Sequence, residues 1–582
     1  MKHFVKSFFC VIRGGSMRHI TVFFVFFLLF YGVLWGGDRF PPLEKTLAGE
    51  IKKAFSELKK KEIPPYYISY RVDDEKKVLF SAELGSLSQE DEEQSRILTV
   101  MVRTGSPEKD NFHLLREDFS SYYTSQGETA RFPLDNNPAA VHLVTRAAAE
   151  KAYRKAVDGL SKVKANVDIK VEEKDRSGDY TLIPPHKYHA PDSEPLSVGQ
   201  VEWWKERLRF WSALFLEDPF CMEGSADLSV VKGEKTFVDS SGSCIVQSYQ
   251  YVRLSFHAST KADDGMVLPV FLSFVGENFR DLPSEEEITN QVSRLAGIMI
   301  ELREAPLVDP YTGPALLSGE AAGVFFHEIF GHRVEGQRMK KVTDGQTFKD
   351  KIGAQVLPDT FSVVYDPLLS RFQNNYLWGG YRFDDEGTPA EKVIVVEEGV
   401  LKNFLMSRTP IAGHGSSNGH GRARGGYIPV ARQSNMIIQT HEPLSHDELR
   451  EALAAELKRQ QLSFGYHIEA VQGGFTLTGR YSPNTFNVIP LLVYRVYDDG
   501  RPDELVRGVD LIGTPLSMFS RIRAGGGEYE IFSGFCGAES GAVPVTAVSP
   551  EIFVSQIELQ KKGHAQSKLP LLPRPDVRKE KR

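Results

Sequence analysis

Two histidines five residues apart, with a glutamate beside the first, constrain this chain more than any other feature. They lie in Gly319–Arg338, GEAAGVFFHEIFGHRVEGQR, where good helix formers lead into His327-Glu328 and then His332. The familiar zinc-hydrolase pattern H-E-x-x-H sets its ligands at i and i+4, about 40° apart around a helix. Here the separation is i and i+5, about 140° on a regular helix. If both rings serve one site, the helix cannot be regular. Either a π-bulge absorbs one residue, or the helix ends or unwinds at Gly331.

The residue types suit metal chemistry. Two neutral imidazoles hold a metal without cancelling its charge. Zinc lowers the pKa of a water that it binds to about 7. A carboxylate beside the first ligand, Glu328, is placed to take that proton and pass it to a leaving amine. The competing reading is a helix carrying two unrelated histidines.

The chain has 582 residues, 41% of them hydrophobic, enough to build two or three cores. Charged residues make up 25% and the net charge is −7. A mildly acidic chain without a dominant basic stripe gives no support for nucleic-acid binding. Lys2, Lys6, Arg13 and Arg18 precede an apolar run from Ile20 to Trp35, which Gly36-Gly37-Asp38 follows. Residues 1–37 read as a secretory signal peptide or an N-terminal membrane anchor. The run falls short of the roughly 20 residues of a comfortable span and lacks an A-x-A cleavage site, so both readings stay open. Either Met1 or Met17 serves as the start. This segment points to a periplasmic or secreted protein, membrane-anchored or free according to whether it is cleaved. The four cysteines, Cys10, Cys221, Cys244 and Cys536, make no disulfide scaffold. In an oxidising compartment Cys221 and Cys244 could pair or stay as free thiols.

Periodicity divides the rest. Leu43, Leu47, Ile51, Phe55 and Leu58 mark an amphipathic helix that Pro64-Pro65 ends. Tyr66–Val72 and Lys77–Ala82 read as a hairpin around Asp73-Asp74, and Arg96–Arg103 as a further strand. A helix spans Val144–Val163, a charged, Pro-rich stretch at 164–200 reads as an exposed insertion, and Trp203 to Phe215 reads as an aromatic helix. Strands over Thr236–Val275 turn at Ser241-Gly242. Ser284 and Glu287 cap a helix with Ile288, Val292, Leu295, Met299 and Leu302. The second half is richer in strands: a hairpin at Lys392–Met406 turning at Glu398-Gly399, then strands near Phe475, Val488–Tyr497 and Ile552–Leu559. The fold class is therefore α+β. A mixed helix and antiparallel-sheet domain occupies 38–305. A β-rich domain occupies 306–560, with the metal-binding helix at its start. A basic tail at 561–582 reads as disordered. Gly413–Tyr427, GHGSSNGHGRARGGY, reads as an irregular loop.

The segment around His327 resembles the H-E-x-x-x-H signature of the TldD/PmbA metallopeptidase family. Tyr311-Thr312-Gly313-Pro314 leading to Gly319-Glu320-Ala321-Ala322 resembles the family's approach to its active helix. Tyr381 to Pro389, YRFDDEGTP, resembles its central motif, as do Gly421-Arg422, Arg432 and Asn435 beyond. Gly534-Phe535-Cys536-Gly537 with Val543-Pro544-Val545 resembles its C-terminal cysteine segment. The likeness spans roughly Ser284 to Leu559, and is looser before that.

The resemblance implies a zinc peptidase acting on short or unstructured peptides, with Cys536 as third ligand beside His327 and His332. The flanking glycines would allow a tight turn aiming the sulfur inward. It also implies a dimer, homodimeric or paired with an inactive relative, and a chain with the whole motif resembles the active partner. The alternative is a non-catalytic zinc-binding or scaffold subunit of such a complex. Family members are usually cytoplasmic, whereas the N-terminal segment here points outside the cytoplasm. His420, Arg422 and Arg432 are the candidates for contact with substrate, through a peptide carboxylate or the scissile carbonyl.

Overall fold

The computed structural model describes residues 40–114, 127–167, 175–191, 199–341, 344–479 and 486–562. The signal-or-anchor segment 1–37 and nearly all of the basic tail lie outside the described residues. Among those residues no helix is long and apolar enough to cross a membrane.

The first half is built on a seven-stranded sheet whose long strands run Pro65–Glu83, Ser86–Thr104, Glu223–Asp239 and Cys244–Lys261. Along the first strand the even positions Ile68, Tyr70, Val72, Phe80 and Ala82 are buried apolar side chains. Because side chains alternate across a strand, these share one face. At one end that face packs on the helices Leu43–Leu58 and Pro138–Val167, and at the other on Val201–Leu214 and Glu285–Glu304. The expected hairpin at Asp73-Asp74 is absent. The strand runs straight through, and the chain reverses at Leu84-Gly85, both with positive φ. The aspartates are tolerated in mid-strand because Arg71 pairs with Asp73 and Arg96 with Asp74.

The opposite, polar face of this sheet is covered by the second half. Arg71 donates to the carbonyls of Arg424 and Tyr427, at 2.8 and 3.2 Å. Lys235 pairs with Asp385 at 2.7 Å, and Gln247 donates to the carbonyl of Phe383 at 2.7 Å. Arg408, 1% exposed, donates to the Tyr67 hydroxyl at 3.0 Å and stacks on the Tyr180 ring. Tyr180 and Asp179 are themselves buried, so the stretch read as an exposed insertion threads this junction over its described residues. Its residues Lys187–His189 pair in parallel with Cys244–Val246. Cys244 sits opposite Val238 at one end of a long hairpin, while Cys221 precedes the other end, where Glu223 meets Ser259. The strands between them keep these two thiols of one chain from pairing with each other.

The second half carries an eleven-stranded mixed sheet. Its pairings close a ring. Gly541–Lys561 pairs with Val509–Gly513, that strand with Phe486–Tyr497, then Phe464–Thr476, then Tyr311–Leu317, which pairs back to Gly541–Lys561. The helix Gly319–Ile329 packs on Gly541–Lys561, Phe464–Thr476 and Ile522–Ala538. It is apolar on nearly every side: Ala321, Ala322, Val324, Phe325, Phe326 and Ile329 all join the largest core. The hairpin at Glu398-Gly399 forms as expected, with both residues at positive φ.

Candidate metal centre

The site begins with a well-capped helix. Ser318 accepts the Ala321 amide at 3.1 Å and donates to the Glu469 carbonyl at 2.7 Å. The helix stops at Ile329. Phe330 leaves helical geometry (φ −120°, ψ −54°), and Gly331–Arg333 turn as a short 3-10 piece. Of the two ways to bring the histidines together, the chain therefore uses unwinding at Gly331 and not a π-bulge. Glycine leaves room there for a neighbouring side chain. A Cβ on Gly331 would lie 2.0 Å from Oε1 of Gln433, whose amide fills the notch left by the broken helix.

With the helix broken, the two imidazoles stand 4.9 Å apart between ring centres, nearly perpendicular. Cys536 Sγ lies 3.5 Å from His332 Nε2. One donor atom from each of His327, His332 and Cys536 lies within 4.8 Å of the others, the only such cluster among the described residues. Donors in a tetrahedral zinc shell, each about 2.0–2.3 Å from the ion, stand roughly 3.3–3.7 Å apart. The 3.5 Å between Cys536 Sγ and His332 Nε2 matches that spacing, and the 4.8 Å limit on the whole set leaves it somewhat wider than a closed shell, while two nitrogens and a sulfur are the donor types that suit zinc. The sulfur is aimed by strand alternation and not by a tight glycine turn. Cys536 lies within Ile522–Ala538 opposite Val543, sharing a buried face with Val543 and Val545. Burial works against its ionisation, but His332, Arg432 and His327 hold the thiol well below its usual range.

Glu328 is 5% exposed, and its Oε2 has no hydrogen-bond partner among the described residues. Burial raises its pKa against the pull of the two histidines. Gly474 leaves room for it, since a Cβ there would lie 2.7 Å from Glu328 Cγ. Arg333 donates to the Glu328 carbonyl and, at 2.8 Å, to Thr476 Oγ1. Burial, with Arg338 nearby, lowers the Arg333 guanidinium to about 9.

The candidate substrate contacts are all interior. His420 is fully buried, with Nε2 3.2 Å from Ser434 Oγ and Nδ1 3.1 Å from both oxygens of Asn418. Burial pushes its pKa down to about 3, so it is a neutral packing residue near pH 7. Arg422 donates to the Gln433 carbonyl and lies over the Tyr381 ring. Arg432 is fully buried and donates to the carbonyls of Cys536 and Gly541 and to Ser540 Oγ. The glycine-rich loop thus supports the cluster from behind, which its composition did not reveal. The sequence reading also missed Gln433, whose Nε2 lies 3.4 Å from the His327 carbonyl and 3.5 Å from its ring nitrogen. Nothing in the sequence pattern marks it. Glu335 was missed too, although its place three residues after His332 was a usable signal.

The family model of the PmbA/TldA metallopeptidase C-terminal domain matches residues 310–561, the stretch holding all three donors and Glu328. Over these residues the chain belongs to the TldD/PmbA family. A metalloprotease of Archaeoglobus fulgidus is 35% identical over 241 residues, 41% of this chain and 51% of that protein. A zinc metalloprotease TldD homolog of Saccharolobus solfataricus is 26% identical over 249 residues, 42% of this chain and 51% of that protein. The matches to these two relatives thus span about half of their length. The crystal structure of TldE from Thermococcus kodakarensis shares the fold over 88% of this chain and 100% of its own, with TM-score 0.58 and 14% identity.

Proposed function

We propose that this chain is a zinc-dependent metallopeptidase that hydrolyses short or unstructured peptides. The observation that carries the reading is the convergence of His327, His332 and Cys536 within 4.8 Å, with an unpartnered carboxylate oxygen on the residue next to the first donor. Zinc bound there supplies a Lewis acid that polarises a carbonyl and lowers the pKa of a water. His327, His332 and Cys536 would hold the ion, a set of three protein donors as catalytic zinc sites use. Glu328 takes the proton of the attacking water at its carboxylate and returns it to the departing amine. Arg333 fixes the Glu328 backbone, and Arg432 fixes that of Cys536. The names of the relatives support a metalloprotease, and one of them names zinc.

In this reading the enzyme works as a homodimer or beside an inactive relative. The basic flank and apolar run at 1–37 support a site outside the cytoplasm, where exported peptides are the available substrates.

The test is metal analysis of the purified chain and of Cys536→Ala, alongside hydrolysis of a peptide library by the parent and by Glu328→Gln. The parent should hold one zinc and cleave, Cys536→Ala should lose metal, and Glu328→Gln should keep metal without cleaving. A parent without zinc ends the proposal. A parent with zinc whose peptide turnover matches that of Glu328→Gln, or is absent in both, makes the chain a zinc-binding or scaffold subunit.

A further inference from the structure

Behind His332 stands a carboxylate that the proposed reaction does not use. Glu335 is fully buried, on the turn between the broken helix and Gln337–Lys340. Its Oε1 lies 3.2 Å from His332 Nδ1. Its Oε2 accepts from Arg338 Nε at 2.8 Å. The guanidinium of Arg432 approaches the same Oε1 at 3.7 Å, while another of its nitrogens donates to the Cys536 carbonyl. A buried carboxylate is costly to keep unless it is paired, and this one is paired twice. Its remaining oxygen contact is the imidazole.

We propose that Glu335 is a positioning residue of the metal site, fixing His332 so that Nδ1–H faces the carboxylate and Nε2 faces the Cys536 sulfur. The inference rests on the zinc reading above. An imidazole has two nitrogens, and the one holding the proton cannot also bind a metal. With Nδ1 engaged by Glu335, the free lone pair is on Nε2, the atom 3.5 Å from Sγ. Arg432 then ties the two distant ligands together, touching the carboxylate behind His332 and the backbone of Cys536. Donors more than two hundred residues apart in sequence are thereby held in one frame. Partners of this kind set ring orientation and ligand basicity, and their removal typically weakens metal binding about 10–100-fold.

The experiment measures the zinc dissociation constant of metal-stripped, full-length protein by competition with a chromophoric chelator. Cobalt-substituted spectra are recorded beside it. Parent, Glu335→Ala and Glu335→Gln are compared, with circular dichroism reporting the fold. Glu335→Ala should bind zinc about 10–100-fold more weakly. Its cobalt ligand-field bands should shift while the thiolate-to-metal band persists, because Cys536 stays in place. Glu335→Gln keeps the shape and an acceptor oxygen, and should fall between the two. If Glu335→Ala does not fold, the glutamine variant carries the test. Unchanged affinity and unchanged bands in the folded variants overturn the positioning role and leave the zinc reading standing. A parent that binds neither zinc nor cobalt overturns both.

Discussion

Two buried clusters of charge lie in this molecule, and they are built to opposite rules. The first surrounds His327, His332 and Cys536. The second lies where the first sheet meets the second half, and gathers Asp384, Asp385, Glu386, Arg408, Asp239 and Arg103. In the second, the carboxylates are matched to donors. Asp384 accepts the amides of Glu386, Thr388 and Gly421, Asp385 pairs with Lys235, and Glu386 accepts the amide of Arg408. In the first, three soft or neutral donors face one another and an oxygen of Glu328 is left unmatched. Buried polar groups left open cost stability, so they persist where they do chemistry. Satisfied ones join structure to structure. Burial and charge density alone would not separate the two clusters; the open carboxylate oxygen of Glu328, against the matched carboxylates of the second, does.

The comparison breaks most sharply under two substitutions. Glu328→Gln should lower peptide turnover by about 10²–10⁴ with zinc content and melting temperature unchanged, as expected for loss of a general base. Arg408→Met should do the reverse. It removes the buried charge beside Asp239 and Glu386 and the donor to the Tyr67 hydroxyl and the Glu386 carbonyl, and breaking one side of a buried charged pair typically costs about 3–5 kcal/mol. Denaturant unfolding should report that loss, while zinc per folded molecule stays at the parent value. An Arg408 variant that keeps its stability but loses zinc would show that the clusters are one unit.

How far the sequence reveals this arrangement follows from the range of the interactions. Local signals were reliable. The helix from Leu43, the Ser284 cap and the Glu398-Gly399 turn all form where propensity and capping place them. The break at Gly331 was legible because five-residue spacing is incompatible with a straight helix. The Asp73-Asp74 turn failed because Arg71 and Arg96 neutralise charges that would otherwise favour solvent. Cys536 could be reached only through family resemblance, since its neighbours Gly534 and Gly537 suggest a turn where there is a strand. Gln433 and the inward course of His420, Arg422 and Arg432 were not legible. Their partners lie on other strands, and a glycine-rich stretch looks alike whether it is solvated or packed.

A smaller effect tests the first cluster from the side of packing. Gly331→Ala places a methyl group against the Gln433 amide. Overpacking of this kind costs about 1–3 kcal/mol. The displaced amide also disturbs the notch beside His327, so zinc should bind more weakly in parallel with the stability loss. Paired unfolding and metal-competition measurements should show both changes. If stability falls and zinc affinity is untouched, the notch serves folding alone.

The smallest effect concerns His420, whose ring lies near Tyr365 and Tyr381 and within the field of Arg422. In the folded chain its pKa is pushed down to about 3 by burial, against an ordinary value of 6.5. Above pH 6.5 the ring is neutral in both folded and unfolded chains, and it contributes no pH dependence. As pH falls below that value the unfolded chain takes up a proton that the folded chain refuses, so stability declines and continues to decline toward pH 3. The loss should reach about 1 kcal/mol near pH 5.5. His467, lowered to about 4 by burial, adds a loss of the same sign, so the parent alone cannot isolate either ring. The difference between parent and His420→Gln can. The glutamine does not titrate, and the gap between the two unfolding free energies should narrow as pH drops from 7 to 5. A constant gap would mean that His420 takes up its proton in the folded chain. It would then belong with the open, chemically available groups of the first cluster and not with the satisfied framework around them.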